Sequence, residues 1–131
     1  ADALVIPGGF GAAKNLSSYA FDGPKCKVHP DVAKAIKDMH ACGKPIGALC
    51  IAPVLVAKVL GKVSLTIGDD QATADNLVAM GATHVPTSHG QIAIDRENKI
   101  VTTPCYMLNS RVDQVAEGAD NLIRAMLEMM A

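Results

Sequence analysis

"IGALCIAP", residues 46–53, decides how the chain is read. Ile46 to Leu49 is a short apolar run of strand character, and Ala52 to Leu60 is apolar nearly all round, as a buried helix is. A single thiol, Cys50, joins the two, with Gly47 before it and Pro53 after it. A strand that runs into a helix through one reactive residue is a nucleophile elbow. Its tight turn strains the backbone and lifts the side chain above the sheet edge. The helix that follows aims free N–H groups and the positive end of its dipole at that residue. For a cysteine this favours the thiolate, bringing the pKa below the unperturbed value of about 8.5. Pro53 suits a first helical turn, where its missing N–H costs nothing. The pattern departs from G-x-S-x-G, because Ala52 stands where the second glycine would be. A small buried cysteine that only fills space is therefore the competing reading.

Outward from this elbow, strand-like and helix-like segments alternate. Residues 3–6, Ala-Leu-Val-Ile, read as a buried strand stopped by Pro7-Gly8-Gly9. Phe10 to Val28 reads as an irregular excursion with one helical turn. Pro30 opens a helix with Asp31 beside it, and Val32, Ala35, Ile36 and Met39 form one apolar face before Gly43 ends it. Val63 to Ile67 is a third strand. Thr73 to Met80 is a short helix closed by Gly81, followed by a brief strand around His84-Val85. Gln91 to Asp95 and Lys99 to Thr103 flank Arg96-Glu97-Asn98 as a hairpin. Ser110 with Asp113 makes a capping-box-like start to a last helix, whose apolar stripe runs from Val112 to Met130. This alternation predicts an α/β fold, three-layered and flavodoxin-like, with a mainly parallel sheet. Residues 1–131 form a single domain. A buried-type strand opens the chain with nothing before it to pair with. The sequence therefore reads as the C-terminal portion of a larger domain whose first strands are missing.

Composition narrows the function. Half of the 131 residues are apolar but only 3% are aromatic, so the interior is built from aliphatic side chains. The formal charge is −1, with no basic stripe interleaved with aromatics, which argues against a nucleic-acid surface. No apolar run reaches bilayer-spanning length, and the first residues lack a signal-peptide pattern. The four cysteines, Cys26, Cys42, Cys50 and Cys105, have neither C-x-x-C nor zinc-finger spacing. They read as free thiols of a reducing compartment and not as metal ligands. An open sheet edge leaves two expected occupants, a second copy of the chain as a homo-oligomer or a missing partner segment.

Beside the thiol, Pro7-Gly8-Gly9-Phe10-Gly11 offers backbone N–H groups to an oxyanion at the same sheet edge. A phosphate cradle fits these glycines poorly, since Lys14 takes the place of the last glycine of G-x-G-x-x-G and no Walker pattern is present. The stretches "DALVIPGGFGAAKNLS", "GKPIGALCIAPVLVAKVLG", "LTIGDD" and "ENKIVTTPCYM" resemble the ElbB-type glyoxalases, also called enhancing lycopene biosynthesis or sigma cross-reacting proteins. These are a branch of the ThiJ/PfpI superfamily, whose fold is similar to that of class I glutamine amidotransferases, and the likeness covers essentially all 131 residues. The resemblance implies Cys50 as nucleophile, with the N–H groups of Gly9 and Ile51 as oxyanion hole. Ile51 replaces the histidine that superfamily proteases carry after the cysteine, which speaks against proteolysis. The activating glutamate that the resemblance implies precedes the matched region, and no Glu occurs here before Glu97.

Gly8, Asp69, Asp70 and His89 are the further candidates to line the pocket, the two aspartates because they end the third strand near the same crevice. A solvated turn or a helix cap is the alternative for that pair. Cys26, Cys42 and Cys105 lack the strand-to-helix context and read as structural; Tyr106 reads as packing. The implied function is cofactor-free conversion of glyoxal-type dicarbonyls to hydroxy acids, such as glyoxal to glycolate. Without the glutamate, the expectation is weak or absent activity. The alternative is a noncatalytic redox or stress-responsive protein that senses oxidation at Cys50. The implied compartment is the bacterial cytoplasm, or the mitochondrion for a eukaryotic chain.

Overall fold

A computed structural model describes residues 1–130. The main sheet is built from β1 (Leu4–Ile6), β2 (Ile46–Leu49), β5 (Ala93–Asp95) and β6 (Ile100–Thr103), in the order β1-β2-β6-β5. β2 lies parallel to β1 and to β6, and β5 is antiparallel to β6. A second ladder pairs β3 (Ser64–Leu65) in parallel with β4 (Thr83–His84). The fold is α/β with a mainly parallel sheet, as the alternation of segments predicts.

Two apolar layers enclose the sheet. On one face, α3 (Pro30–Ala41), α4 (Pro53–Leu60) and α5 (Gln71–Ala79) contribute to a core around Ile36, Ile46, Val54, Leu55, Leu65 and Leu77, all fully buried. On the other, α6 (Val112–Met130) seats Leu122 and Met126 on the sheet beside Val101. Gly47 sets how close α6 can come: a Cβ there would lie 2.5 Å from Met126 Sδ. The expected aliphatic interior is the observed one.

Several boundaries differ from expectation, each for a local reason. The segment 10–28 holds more than one helical turn: α1 (Phe10–Lys14), α2 (Tyr19–Asp22) and a 3-10 turn at Gly23–Lys25. The third strand is shorter than Val63–Ile67, because side chains replace its ladder to the main sheet. Asp95 Oδ2 accepts the Ser64 N–H at 2.8 Å, and Thr102 Oγ1 accepts the Thr66 N–H at 3.0 Å. α5 starts at Gln71, two residues before Thr73, because Asp70 caps it. The capping box of Ser110 and Asp113 does not form. The helix begins one residue later than that pattern assumes, so Gln114 Oε1 accepts the Arg111 N–H at 2.8 Å. Asp113 pairs with Arg111, and Ser110 with His89. The hairpin at 91–103 is present, its turn held by Asp95, whose carboxylate accepts the Asn98 N–H at 3.0 Å and its side-chain amide at 2.9 Å.

Candidate active site

Cys50 follows β2 directly and adopts a φ of 62°, the left-handed region that a side chain enters only at a cost. The turn is fixed from both sides. The Cys50 N–H donates to Thr103 O at 3.0 Å, continuing the β2–β6 register beyond Leu49↔Thr103. The Ala52 N–H donates to Leu49 O at 3.0 Å, and Pro53 then opens α4. The thiol is half-buried. This is the elbow geometry, reached without the second glycine of the hydrolase pattern.

The turn after β1 packs against it. Gly8 has a φ of 91°, and a Cβ on it would lie 2.5 Å from Leu49 O and 2.9 Å from Cys50 Cβ. Only glycine fits there. Gly9 follows with a φ of 83° and open space around it. Among the described residues, the N–H groups of Gly9 and Ile51 meet no hydrogen-bond acceptor. Both residues line the hollow that contains Cys50.

That hollow has a volume of about 360 Å³. Besides Gly9, Cys50 and Ile51, it is lined by Phe10, Ala13, Tyr19, Ala20 and Met107. The Tyr19 hydroxyl accepts a hydrogen bond from Asn76 Nδ2 at 2.8 Å. Among the described residues, no carboxylate, lysine, arginine or histidine lines the hollow. Phe10 itself is 72% exposed, an uncommon state for a phenylalanine beside a thiol.

The remaining candidates go elsewhere. Asp70 is a helix cap: its Oδ2 accepts the Thr73 N–H at 3.0 Å and the Thr73 hydroxyl at 2.6 Å, and these bonds lower its pKa. Asp69 lines a separate hollow with His84 and Asp75. His89 Nδ1 pairs with Ser110 Oγ at 2.5 Å, at an exposed position. None of the three lines the hollow of Cys50. His29 caps α3 through the Asp31 N–H, and His40 meets Asn98 Oδ1 at 2.9 Å. Tyr106 is 60% exposed, so it does not pack as expected.

One residue that sequence reasoning set aside belongs beside the thiol. Cys105 begins the 3-10 turn after β6, has a φ of 46°, and is buried next to Cys50. Burial pushes its thiol pKa up, and the neighbouring Cys50 charge pushes it further, while the Cys50 main-chain N–H acts in the opposite sense. Its only sequence signal is that it follows a strand pairing with β2, which cannot be known without the register. Phe10, Tyr19 and Met107 were missed for the same reason.

No family model matches the chain. It is 43% identical to the human "Glutamine amidotransferase-like class 1 domain-containing protein 3, mitochondrial", over 98% of this chain and 51% of that protein. Among solved structures, an isoprenoid biosynthesis protein with amidotransferase-like domain from Ehrlichia chaffeensis is 35% identical. It superposes with a TM-score of 0.85 over 97% of this chain and 59% of its own. Drosophila melanogaster DJ-1beta, 21% identical, shares the fold with a TM-score of 0.60 over 98% of this chain and 61% of its own. The chain spans about half the length of the curated relatives it matches. Its fold is that of the amidotransferase-like Ehrlichia protein and of DJ-1beta. No helix among the described residues is long and apolar enough to cross a membrane.

Proposed function

We propose that the chain carries the nucleophile half of a glyoxalase-like site of the ElbB branch, which takes glyoxal-type dicarbonyls to hydroxy acids. The observation that supports this is the conjunction at Cys50. A thiol held at positive φ lines a hollow without charged side chains, and two residues whose N–H groups meet no acceptor among the described residues, Gly9 and Ile51, line it too. A small neutral aldehyde suits such a space; a substrate with a charged head would find no counter-ion there.

In this reading the Cys50 thiolate adds to the aldehyde carbon. The carbonyl π electrons move to oxygen, and the resulting hemithioacetal oxyanion is met by the Gly9 and Ile51 N–H groups. Transfer of the C–H proton to the neighbouring carbon through an enediol gives a thioester, and water releases the acid and regenerates the thiol. Proton transfer needs a carboxylate or imidazole within hydrogen-bond reach, and none lines the hollow. The resemblance assigns that role to a glutamate preceding the matched region. The 131-residue chain therefore forms the adduct but turns over slowly.

Addition of 13C-glyoxal tests the first step. A hemithioacetal carbon resonance in the wild type, missing in Cys50→Ser, is the expected result, with glycolate appearing faster in a longer form that contains the glutamate. Absence of the resonance, or turnover as fast in this chain as in the longer form, overturns the reading.

A further inference from the structure

We propose that Cys50 and Cys105 form a reversible intramolecular disulfide when a hydroperoxide oxidises Cys50. The two residues leave the C-terminal ends of adjacent, hydrogen-bonded parallel strands. Leu49 is in register with Thr103, and the Cys50 N–H donates to Thr103 O at 3.0 Å. Cys105 therefore starts one strand spacing away, about 4.8 Å, and about one residue rise further on. That offset lies inside the roughly 4.4–6.8 Å Cα separation over which disulfides close. Both residues occupy left-handed backbone, as Lys99 alone does among the other described non-glycine residues. The Cys105 thiol sits beside the Cys50 main-chain N–H.

The two thiols divide the work by exposure. Cys50 is half-buried and lines the hollow; Cys105 is 9% exposed and does not line it. A hydroperoxide entering the hollow thus reaches Cys50 first. The Cys50 thiolate sulfur attacks the peroxide oxygen, an S–O bond forms and the O–O bond breaks. The leaving oxygen takes a proton and departs as water or alcohol. Cys50 is oxidised by two electrons to the sulfenic acid, and the peroxide is reduced. Cys105 then attacks the Cys50 sulfur: the S–S bond forms, the S–O bond breaks, and the hydroxyl leaves with the Cys105 proton as water.

The electrostatics order these steps. Burial raises the Cys105 pKa, and a negative charge on Cys50 raises it further. The sulfenic acid is neutral, so oxidation of Cys50 removes the second of these two contributions and eases attack by Cys105. Neither other cysteine is placed to compete. Cys42 follows α3 at the opposite end of β2, and Cys26 lines a separate hollow with Lys27 and Lys58. Closing the disulfide diverts Cys50 from the irreversible sulfinic acid. This inference does not depend on the glyoxalase reading, since its readout is mass and not turnover.

The test is peroxide titration of the reduced protein, followed by intact-mass measurement and peptide mapping after free thiols are blocked. The expected product has lost two hydrogens, yields a linked peptide joining Cys50 to Cys105, and returns to the starting mass with dithiothreitol. Cys105→Ser and Cys105→Ala, checked for native circular dichroism, then take up two or more oxygens at Cys50 that dithiothreitol does not remove. The proposal is overturned if the wild type gains oxygens at Cys50 with no linked peptide, stays unchanged, or cross-links through Cys26, Cys42 or a second chain. Mapping of the wild type decides the matter even if both variants misfold.

Discussion

At the residue scale, the site rests on two positions with forbidden alternatives. Cys50 holds positive φ because hydrogen bonds on both sides of it, to Thr103 and across the turn at Leu49, leave no other path into α4. Gly8 is the glycine that lets the first turn approach this elbow. In Gly8→Ala the new methyl would overlap main-chain oxygen at Leu49 and the Cys50 Cβ, while the backbone stays at a φ that alanine resists. We expect a loss of about 2–4 kcal/mol from combined strain and overpacking, read as a lowered urea midpoint. The same variant should form less hemithioacetal per folded molecule, because the Cys50 side chain must shift. Gly9→Ala meets no neighbour and should cost less, leaving only the penalty of its φ. Equal midpoints for the wild type and Gly8→Ala would show that the turn does not pack as described.

At the element scale, β3 is the instructive case. Its sequence, Val63 to Ile67, has strand character throughout, yet only two residues enter a ladder, with β4. Asp95 and Thr102 supply the missing partners from β5 and β6. Asp95 is 8% exposed and also holds the hairpin turn through Asn98, so one carboxylate joins three pieces of chain. Replacing it by Ala leaves these donors without an acceptor, at a cost of about 2–4 kcal/mol. Faster hydrogen exchange at Ser64 and Asn98 would locate that loss, and unchanged protection at both would refute the assignment. Long apolar periodicity made α3, α4 and α6 legible in the sequence, as did the glycine stop at Gly43. Side-chain-mediated pairing leaves no such period. The same holds for the start of α6, where Gln114 and Arg111 displace the Ser110–Asp113 pattern. In the site, the elbow and the glycine turn were legible because backbone geometry demands particular residues. Phe10, Tyr19, Met107 and Cys105 were not, because their neighbourhood is set by strand order.

At the scale of the whole molecule, two buried groups set the response to acid. His84 is partly buried, its Nε2 has no partner among the described residues, and burial lowers its pKa despite the Gly68 carbonyl beside it. The unfolded chain takes up a proton from about pH 6.5 downward while the folded one resists. Stability is thus fully present above that pH and falls below it, by at most about 1.4 kcal/mol per pH unit. His84→Gln should flatten the change in urea midpoint between pH 7 and pH 5; an unaltered slope would assign it to other groups. Desolvation raises the Asp95 pKa, but hydrogen bonds from Ser64, Asn98 and Glu97 outweigh it and lower the value. Its stabilisation therefore persists until the pH drops below about 3.9 and is lost further down. The pairing of β2 with β6 has a consequence for how the chain is made. The two strands are separated by about fifty residues of sequence, so their contact is a late and slow one. During synthesis the thiol leaves the ribosome well before the segment that braces it, at about 5–20 residues per second. For several seconds it is an ordinary cysteine on an open chain, and it acquires its strained posture only when the last strand docks.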